Sequence, residues 1–178
     1  MNTNNNNWKI DQTHSEVAFK VKHMMFTNVS GKFQEFEASA ETEDGFFTNT
    51  NFEFTAKANS ISTGNSDRDA HLVSGDFFDV ENHPTISFKS KSYTKTSEGE
   101  YKLIGDLTLR GVTNSVTLDV EFHGTAKDPW GNEKAGFGIN GKINRKDWGL
   151  NWNSTLEAGG VLVGEEIKLN IELQFVKQ

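Results

Sequence analysis

Apolar and polar residues alternate with a period of two along much of this chain, and that pattern is typical of half-buried β-strands. In the first such segment Val17, Phe19 and Val21 share one face, while Lys20 and Lys22 lie on the other. The alternation returns in residues 52–58, 116–122 and 167–175. Strands that are apolar on one face and wet on the other predict an antiparallel sheet.

The full pattern predicts eight strands, separated by turn signals such as Asp44-Gly45, Glu98-Gly99 and Arg110-Gly111. Their predicted ranges are 8–23, 31–41, 50–62, 85–95, 101–110, 114–126, 134–143 and 165–176. Eight strands of this length can close into a barrel, which removes exposed edges. The predicted fold class is therefore all-β, an antiparallel eight-stranded lipocalin-like β-barrel with one or two short helices.

The two short helices are predicted where the alternation breaks. Residues 64–73 hold good N-cap residues, and Ser66 followed by Asp69 resembles a capping box. Residues 144–149 could form a second helical turn.

The chain's 178 residues suit a single domain, and it contains neither an internal repeat nor a linker. We expect residues 1–7, an Asn-rich tract, to be disordered and residues 8–178 to form the barrel domain. The N-terminus lacks the basic and apolar regions of a signal peptide, which predicts a cytoplasmic location. A periplasmic or secreted location remains open if a leader was trimmed.

Charge and residue content exclude several kinds of site. The net charge is −7, from 18 basic and 25 acidic residues, and an acidic chain repels nucleic acid and anionic lipid surfaces. There is no cysteine, and the five histidines form no HExxH or other close metal-binding pair. No apolar run approaches the ~20 residues of a membrane-spanning helix. We therefore expect no metal, no cofactor, no nucleic acid and no integral membrane segment.

The interior of the predicted barrel is either filled or hollow. Phe is abundant, with 14 residues, and offers a large apolar area without a polar handle. Ala56, Ala58, Gly105 and Gly141 fall on inward faces and could leave space between the large residues. They could equally accommodate those residues across the barrel. The pattern alone leaves both interpretations open.

Three arginines occur at turns or short helices rather than on regular strand faces: Arg68, Arg110 and Arg145. Arginine forms bidentate pairs with carboxylates or phosphates. We expect these side chains to hold loops through nearby acids such as Asp69 or Asp147. The alternative is that one of them meets the polar head of a bound lipid.

Several linked motifs resemble the YceI-like family of polyisoprenoid-binding, lipocalin-like bacterial proteins. They are Trp8-x-Ile10-Asp11-x-x-His14-Ser15-x-Val17-x-Phe19-x-Val21-x-His23, Gly31-x-Phe33-x-x-Phe36, Arg68-Asp69-x-His71-Leu72, Asp76-Phe77-Phe78-Asp79, His83-Pro84-x-Ile86-x-Phe88-x-Ser90, Gly105-x-Leu107-Thr108-Leu109-Arg110-Gly111-Val112-Thr113, Gly136-Phe137 and Arg145-x-Asp147-Trp148-Gly149. The resemblance runs in order from Trp8 to about Phe175 and so covers nearly the whole chain.

This resemblance implies a deep apolar tunnel that binds and sequesters or transports a long-chain amphiphilic lipid, such as a polyisoprenoid or a prenyl quinone precursor. The predicted tunnel wall consists of Val17, Phe19, Val21, Phe52, Phe54, Phe88, Leu107, Phe137 and Trp148. The candidates for the head-group end are His14, His23, Arg68 and His71. We expect no enzymatic activity and therefore no catalytic residue.

Two other functions stay open on the sequence. One is a small hydrolase or isomerase that acts on an apolar substrate in the cavity. The other is a stress-related structural module with a filled core. A homodimer is also possible, and Trp130 or Trp152 near loops would mark its contact.

Overall fold

The computed structural model describes residues 6–43, 47–154, 156 and 162–178. The strands are β1 (Asn6–Ile10), β2 (Glu16–His23), β3 (Thr27–Phe33), β4 (Phe36–Thr42), β5 (Thr50–Lys57), β6 (Ile61–Ser62), β7 (Thr85–Ser97), β8 (Glu100–Leu109), β9 (Val112–Lys127), β10 (Glu133–Asn144) and β11 (Val163–Lys177). One α-helix, α1, spans Ser66–Val73, and short 3₁₀ turns occur at Gln12–His14, Ala58–Ser60 and Arg145–Trp148. Among the described residues, no helix is long and apolar enough to cross a bilayer.

The sheet closes on itself through eight antiparallel strands. The order around the ring is β1-β4-β5-β7-β8-β9-β10-β11, and β11 pairs again with β1. Strands β2, β3 and β6 continue the same wall at the other end of the barrel, where β2 pairs with β11 and with β3. The predicted eight-stranded barrel is confirmed.

Three of the predicted strands are each interrupted once. The predicted strand 8–23 consists of β1 and β2, because Asp11 ends β1 and its side chain caps a 3₁₀ turn by accepting from the Thr13 amide. The second predicted strand begins four residues earlier than expected, at Thr27, and divides into β3 and β4. The third divides into β5 and β6 around the turn at Ala58–Ser60.

The last two residues of the Asn-rich tract are ordered, contrary to the prediction. Asn6 and Asn7 belong to β1 and pair with Thr42 and Glu41 of β4. The predicted disorder of residues 1–5 lies outside the described residues.

Helix α1 lies where the alternation breaks, as predicted, but its cap differs. The N-cap is Asn65 rather than Ser66, and its side-chain oxygen accepts from the Arg68 amide at 3.0 Å. Asp69 does not close a capping box. It accepts from the Thr63 amide at 2.9 Å and from the Thr63 hydroxyl at 2.6 Å, which fixes the helix to the end of β6. The predicted second turn is confirmed as the 3₁₀ turn that Asn144 caps.

One end of the barrel is filled by aromatic side chains, which we call the aromatic plug. Its members are Trp8, Phe47, Phe52, Tyr93, Tyr101, Phe122, Phe137 and Phe175. Phe137 lies at its centre, with ring centroids 5.1–5.6 Å from those of Phe47, Phe52, Phe122 and Phe175. Three of these contacts are edge-on and the one with Phe122 is stacked, and both arrangements are favourable in their own right at these distances. The plug closes the end of the barrel that carries the β7–β8 and β9–β10 turns.

Candidate functional site

A cavity of about 570 Å³ occupies the barrel between the aromatic plug and the opposite end. Its wall is built from the inward residues of the same alternating strands. These include Val17, Phe19, Val21, Phe54, Phe88, Leu107, Leu118, Ile139, Ile143, Leu169, Ile171 and Leu173. Phe52 and Phe175 belong both to this wall and to the plug, so they form the floor of the cavity. A volume of this size lies within the range of natural small-ligand sites, roughly 300–1,000 Å³.

The large rings line the cavity without crossing it because they lie over glycines on the neighbouring strand. A Cβ added to Gly31 would collide with the ring tip of Phe19, its partner across the β2–β3 pair. A Cβ added to Gly105 would collide with the Phe88 ring and would lie 2.6 Å from the Lys89 carbonyl oxygen. The space at Gly105 and Gly141 is thus already taken by neighbouring side chains. Of the two interpretations that the sequence left open for these glycines, the second holds: they accommodate large neighbouring side chains, and the cavity exists beside them.

Most of the polar residues that line the cavity lie at the end away from the plug. They come from the end of β2, from the segment after β6, from α1 and from the 3₁₀ turn at Arg145–Trp148, and they comprise Lys22, His23, Thr63, Asn65, Asp67, Arg68, His71 and Arg145. Glu53 of β5 also borders the cavity, but its side chain is exposed and lies 3.9 Å from Lys89. Arg68 donates from Nε to the Thr63 hydroxyl at 2.7 Å and from Nη2 to the Thr63 carbonyl at 2.8 Å. Among the described residues the guanidinium makes no other hydrogen bond, so it keeps unused donors at the cavity rim.

His71 is held at this rim by three neighbours. Its Nε2 lies 2.8 Å from the Asp76 carboxylate. Its ring meets those of Trp152 and Phe77 edge-on, with centroids 4.5 and 5.1 Å away. Trp152 itself lines the cavity and is half-buried, so it does not provide the exposed dimer contact that the sequence suggested. Trp130, by contrast, is 83% exposed and lies at the plug end.

Arg145 is the most deeply buried charged residue of the described chain, at 3% exposure. Its guanidinium donates to four backbone carbonyls: those of Leu150 and Trp152 at 2.6 and 2.9 Å, and those of Val163 and Gly164 at 3.2 and 2.8 Å. Burial lowers the pKa of Arg145, an effect that the nearby Glu165 carboxylate opposes. The side chain therefore ties the segment after the 3₁₀ turn to the start of β11 and closes part of the cavity wall.

The arginines hold loops as predicted, but through a different kind of acceptor. Arg110 donates to the Phe77 carbonyl at 3.1 Å and to the Gly149 carbonyl at 3.5 Å. Across the described residues, none of the three arginines forms an ion pair with a carboxylate. The predicted partners Asp69 and Asp147 are thus replaced by backbone carbonyls and, for Arg68, by the Thr63 hydroxyl as well.

Ten of the thirteen predicted site residues line the cavity: Val17, Phe19, Val21, His23, Phe52, Phe54, Arg68, His71, Phe88 and Leu107. Three do not. Phe137 is 1% exposed inside the plug, and Trp148 is 2% exposed and donates from its indole to the Leu107 carbonyl at 2.8 Å. His14 lies in the 3₁₀ turn outside the cavity, where it pairs with Asp11 at 2.8 Å. For these three the predicted position on the wall or at the mouth is wrong.

Sequence reasoning missed part of the wall. Phe33 of β3, Leu72 of α1, and Phe77 and Phe78 after it all line the cavity, as does Ile143 of β10. The apolar spacing of Leu72, Phe77 and Phe78 next to the predicted helix was the available signal, since a helix across a barrel end must bury its apolar side against the interior.

The cavity carries little that could perform chemistry. Its wall is almost entirely hydrocarbon. Among the described residues, neither side chain of the His71–Asp76 pair bonds a serine or threonine hydroxyl, and the Ser74 hydroxyl meets only the backbone of these two residues. Within the described ranges, no three His, Asp or Glu side chains are grouped so as to hold a metal ion. The site is an apolar cavity with polar residues at its rim.

The comparisons agree with this architecture. The YceI-like domain matches residues 8–175. The chain belongs to the YceI-like family. A UPF0312 protein of Staphylococcus aureus is 39% identical over 170 residues, which cover 95% of this chain and 96% of that protein.

Two solved structures extend the comparison. The YceI protein of Campylobacter jejuni superposes with a TM-score of 0.76 at 35% identity, covering 95% of this chain and 96% of its own. A polyisoprenoid binding domain from Saccharophagus degradans superposes with a TM-score of 0.68 over 96% of this chain and 98% of its own. At 13% identity, that second likeness shows the fold alone.

Proposed function

We propose that this YceI-like protein binds a long-chain amphiphilic lipid of the polyisoprenoid type in the barrel cavity and sequesters or carries it without chemical conversion. The observation that carries the proposal is the cavity of about 570 Å³, whose wall is almost entirely hydrocarbon and whose polar residues lie mostly at one rim. A site of this kind matches a molecule with a long apolar tail and a small polar head.

The energetics are sufficient for useful affinity. Each methylene removed from water contributes roughly 0.8 kcal/mol. Burying about ten such groups would give about 8 kcal/mol, the free energy of micromolar binding, before the cost of immobilising the ligand is subtracted. A wall without directional polar groups favours a class of tails over a single molecule. The polyisoprenoid binding domain from Saccharophagus degradans, which shares the fold, supports a prenyl tail as the first class to test.

We place the tail toward the floor at Phe52 and Phe175 and the head group at the rim near His23, Arg68 and His71. The rim supplies the cavity's hydrogen-bonding side chains, and Arg68 keeps free donors there. A head group at the floor would lose its hydration without replacement among aromatic rings. His14, Phe137 and Trp148 are left out of this assignment because they do not line the cavity.

Mass spectrometry of the purified protein tests the proposal, first under native conditions and then after extraction with organic solvent. A prenyl or acyl lipid in one-to-one ratio, or uptake of a fluorescent prenyl probe by the delipidated protein, is the expected result. An unchanged probe after prolonged incubation supports carriage, whereas conversion of the probe would favour a hydrolase or isomerase. Protein that holds no lipid and takes up no probe contradicts the proposal.

Variants on β5 provide matched controls. Phe54→Asp places a charge on the cavity wall and should abolish uptake, while Thr55→Asp on the outer face of the same strand should leave it intact. If Phe54→Asp does not fold, Phe54→Trp keeps the wall apolar and narrows the cavity, which should weaken uptake of bulky tails. Equal uptake by both β5 variants would show that the probe binds elsewhere.

A further inference from the structure

The turn between β2 and β3 exposes three consecutive large apolar side chains. Met24 is 40% exposed, Met25 is 63% exposed and Phe26 is 81% exposed. The only other large apolar residues so exposed in the described ranges are Val112 and Trp130, which stand alone. Single exposed apolar residues are ordinary, but a consecutive group at the end of a hairpin marks an interaction surface. We call residues 24–26 the apolar tip.

The apolar tip is held outward by the backbone. Met24 and Met25 both adopt left-handed conformations, with φ of 51° and 64°, which non-glycine residues seldom adopt. The Phe26 amide donates to the His23 carbonyl at 3.1 Å, and the Met24 amide donates to the Leu162 carbonyl at 2.8 Å. The turn is thus bonded to its own strand and to the residue just before β11, and this backbone conformation directs the three side chains outward.

The apolar tip also lies at the rim of the cavity. Lys22 and His23, which directly precede it, line the cavity, and so does Leu162, to which it is bonded. A surface that received the tip would therefore face the polar rim described above.

Lysines cover the outer face of the barrel beside this turn. Lys142, Lys168 and Lys20 are directly opposite one another on β10, β11 and β2. Lys22 lies one pleat closer to the tip, and Lys32 lies on β3 opposite Ala18. We call these five the lysine face. All five are exposed, and none forms an ion pair with the described residues.

The lysine face departs from the overall charge of the molecule. Like charges directly opposite one another on adjacent strands destabilise a sheet, and a partner of opposite charge would relieve that repulsion. The carboxylates nearby are few. Glu166 lies on the same face of β11, Glu165 is bound to Lys146 at 2.7 Å, and Glu16 and Glu172 face each other farther from the tip. The net charge of −7 is thus carried elsewhere on the surface.

We propose that the apolar tip and the lysine face together dock the barrel on an anionic lipid bilayer, with the cavity rim turned toward the membrane. Apolar side chains that enter the interface and lysines that meet anionic head groups are the two elements of reversible membrane binding. At about 3.3 Å per residue, Lys20 lies some 13 Å from the tip, so a tilted barrel brings both to the surface. This inference deepens the proposed function: the lipid would enter the cavity from the bilayer without crossing water.

Vesicle flotation tests the docking surface directly. The full-length protein should float with vesicles of mixed phosphatidylcholine and phosphatidylglycerol, and much less with phosphatidylcholine alone. The triple variant Met24→Ser, Met25→Ser, Phe26→Ser should bind at least about tenfold more weakly, because it removes the inserted apolar area. Neutralising Lys20 and Lys168 to Gln should lower binding by about fivefold for each lysine. High salt should weaken wild-type binding in the same way.

Matched controls lie at the opposite end of the barrel. Trp130→Ser removes the other strongly exposed aromatic side chain, and Lys127→Gln removes an exposed, unpaired lysine of β9. Both should float like wild type. The proposal is overturned if wild type does not bind anionic vesicles, or if the controls lose as much binding as the tip and lysine variants. It is also overturned if the tip proves to form a dimer, seen by sedimentation, that the triple variant abolishes.

The proposed lipid binding is measured separately, with a soluble short-chain prenyl probe and no vesicles. Uptake of the probe by a wild-type protein that does not float would refute docking and leave the carrier function standing. Flotation by a wild-type protein that takes up no probe would support docking and refute the carrier function. Phe54→Asp should float normally while losing the probe, and the triple tip variant should do the opposite.

Discussion

The aromatic plug and the cavity are built from the same strands and from the same kind of residue, yet one is solid and the other hollow. In the plug, Phe137 meets three rings from other strands and the Phe47 ring from between β4 and β5, and their centroids lie 5.1–5.6 Å from its own. Along the cavity, Phe19 and Phe88 lie over glycines of adjacent strands and stay close to the wall. Whether a barrel is filled depends on where its large side chains are directed, and only secondarily on how many there are.

The strongest test of this contrast compares two truncations. Phe137→Ala should destabilise the protein by about 4 kcal/mol, because it removes a fully packed ring and leaves a hole among rigid neighbours. Phe54→Ala should cost only about 1–2 kcal/mol, since that half-buried ring already borders empty space. Urea unfolding at neutral pH measures both. Equal losses would mean that the cavity end is packed as tightly as the plug.

A second test addresses the polar support of the hollow end. Arg145→Met should cost roughly 3 kcal/mol, because four carbonyls lose their donor at once. Arg145→Lys should recover only part of this loss, since one ammonium cannot reach all four oxygens. Hydrogen exchange should show faster opening around Leu150 and Trp152 in both variants. Lys146→Met, next in the chain and exposed, is the control and should change stability by less than about 0.5 kcal/mol. Unaltered exchange near Leu150 would show that the segment is held by other contacts.

The third and smallest effect lies at the break between β1 and β2. The hydrogen bond from Lys134 to Asp11, at 2.7 Å, holds the pKa of the Asp11 carboxyl well below its usual range; burial opposes this, and bonds from His14 and Thr13 add to it. Because the pKa of Asp11 is lower in the folded state, its ionised carboxylate stabilises the folded protein at any pH above the unfolded-state value of about 3.9. This stabilisation is lost as the pH falls further. Asp11→Asn should thus cost about 1 kcal/mol at pH 7 and progressively less below about pH 4.

Lys134→Met is the matched variant for this effect, because it removes the same bond from the other side. Its loss of stability at neutral pH should resemble that of Asp11→Asn and should also fade in acid. If the free energy of unfolding of Lys134→Met differs from that of wild type by the same amount down to low pH, the loss comes from packing and not from charge.

Much of the fold could be predicted because strand alternation is a local property of the sequence. The eight strands and a helix within residues 64–73 follow from residues that are near neighbours in the chain. The ten correctly predicted cavity residues also needed the resemblance to the YceI-like family, because alternation alone left a filled interior open. The division between plug and cavity could not be predicted. Phe52 and Phe54 share one face of β5, yet only Phe52 belongs to the plug, because its neighbours Tyr93, Phe137 and Phe175 come from strands distant in sequence.

The partners of the arginines were beyond sequence analysis for a related reason. Every residue carries a carbonyl oxygen, so the sequence does not show which carbonyl will accept a bond, whereas it does show where an aspartate lies.

The exclusion of His14 from the site has a simpler cause. The 3₁₀ turn after Asp11 ends the alternation that would have directed its side chain inward.

The glycines opposite Phe19 and Phe88 have a consequence for how such a barrel could change its selectivity. Each acts as a recess that receives a ring, and the bore of the cavity depends on how deeply the ring sits. Substituting Gly31 by alanine would push the Phe19 ring toward the barrel axis and narrow the bore without altering the cavity's chemistry. The width of the cavity can therefore be changed by substituting glycines that do not contact a bound ligand themselves.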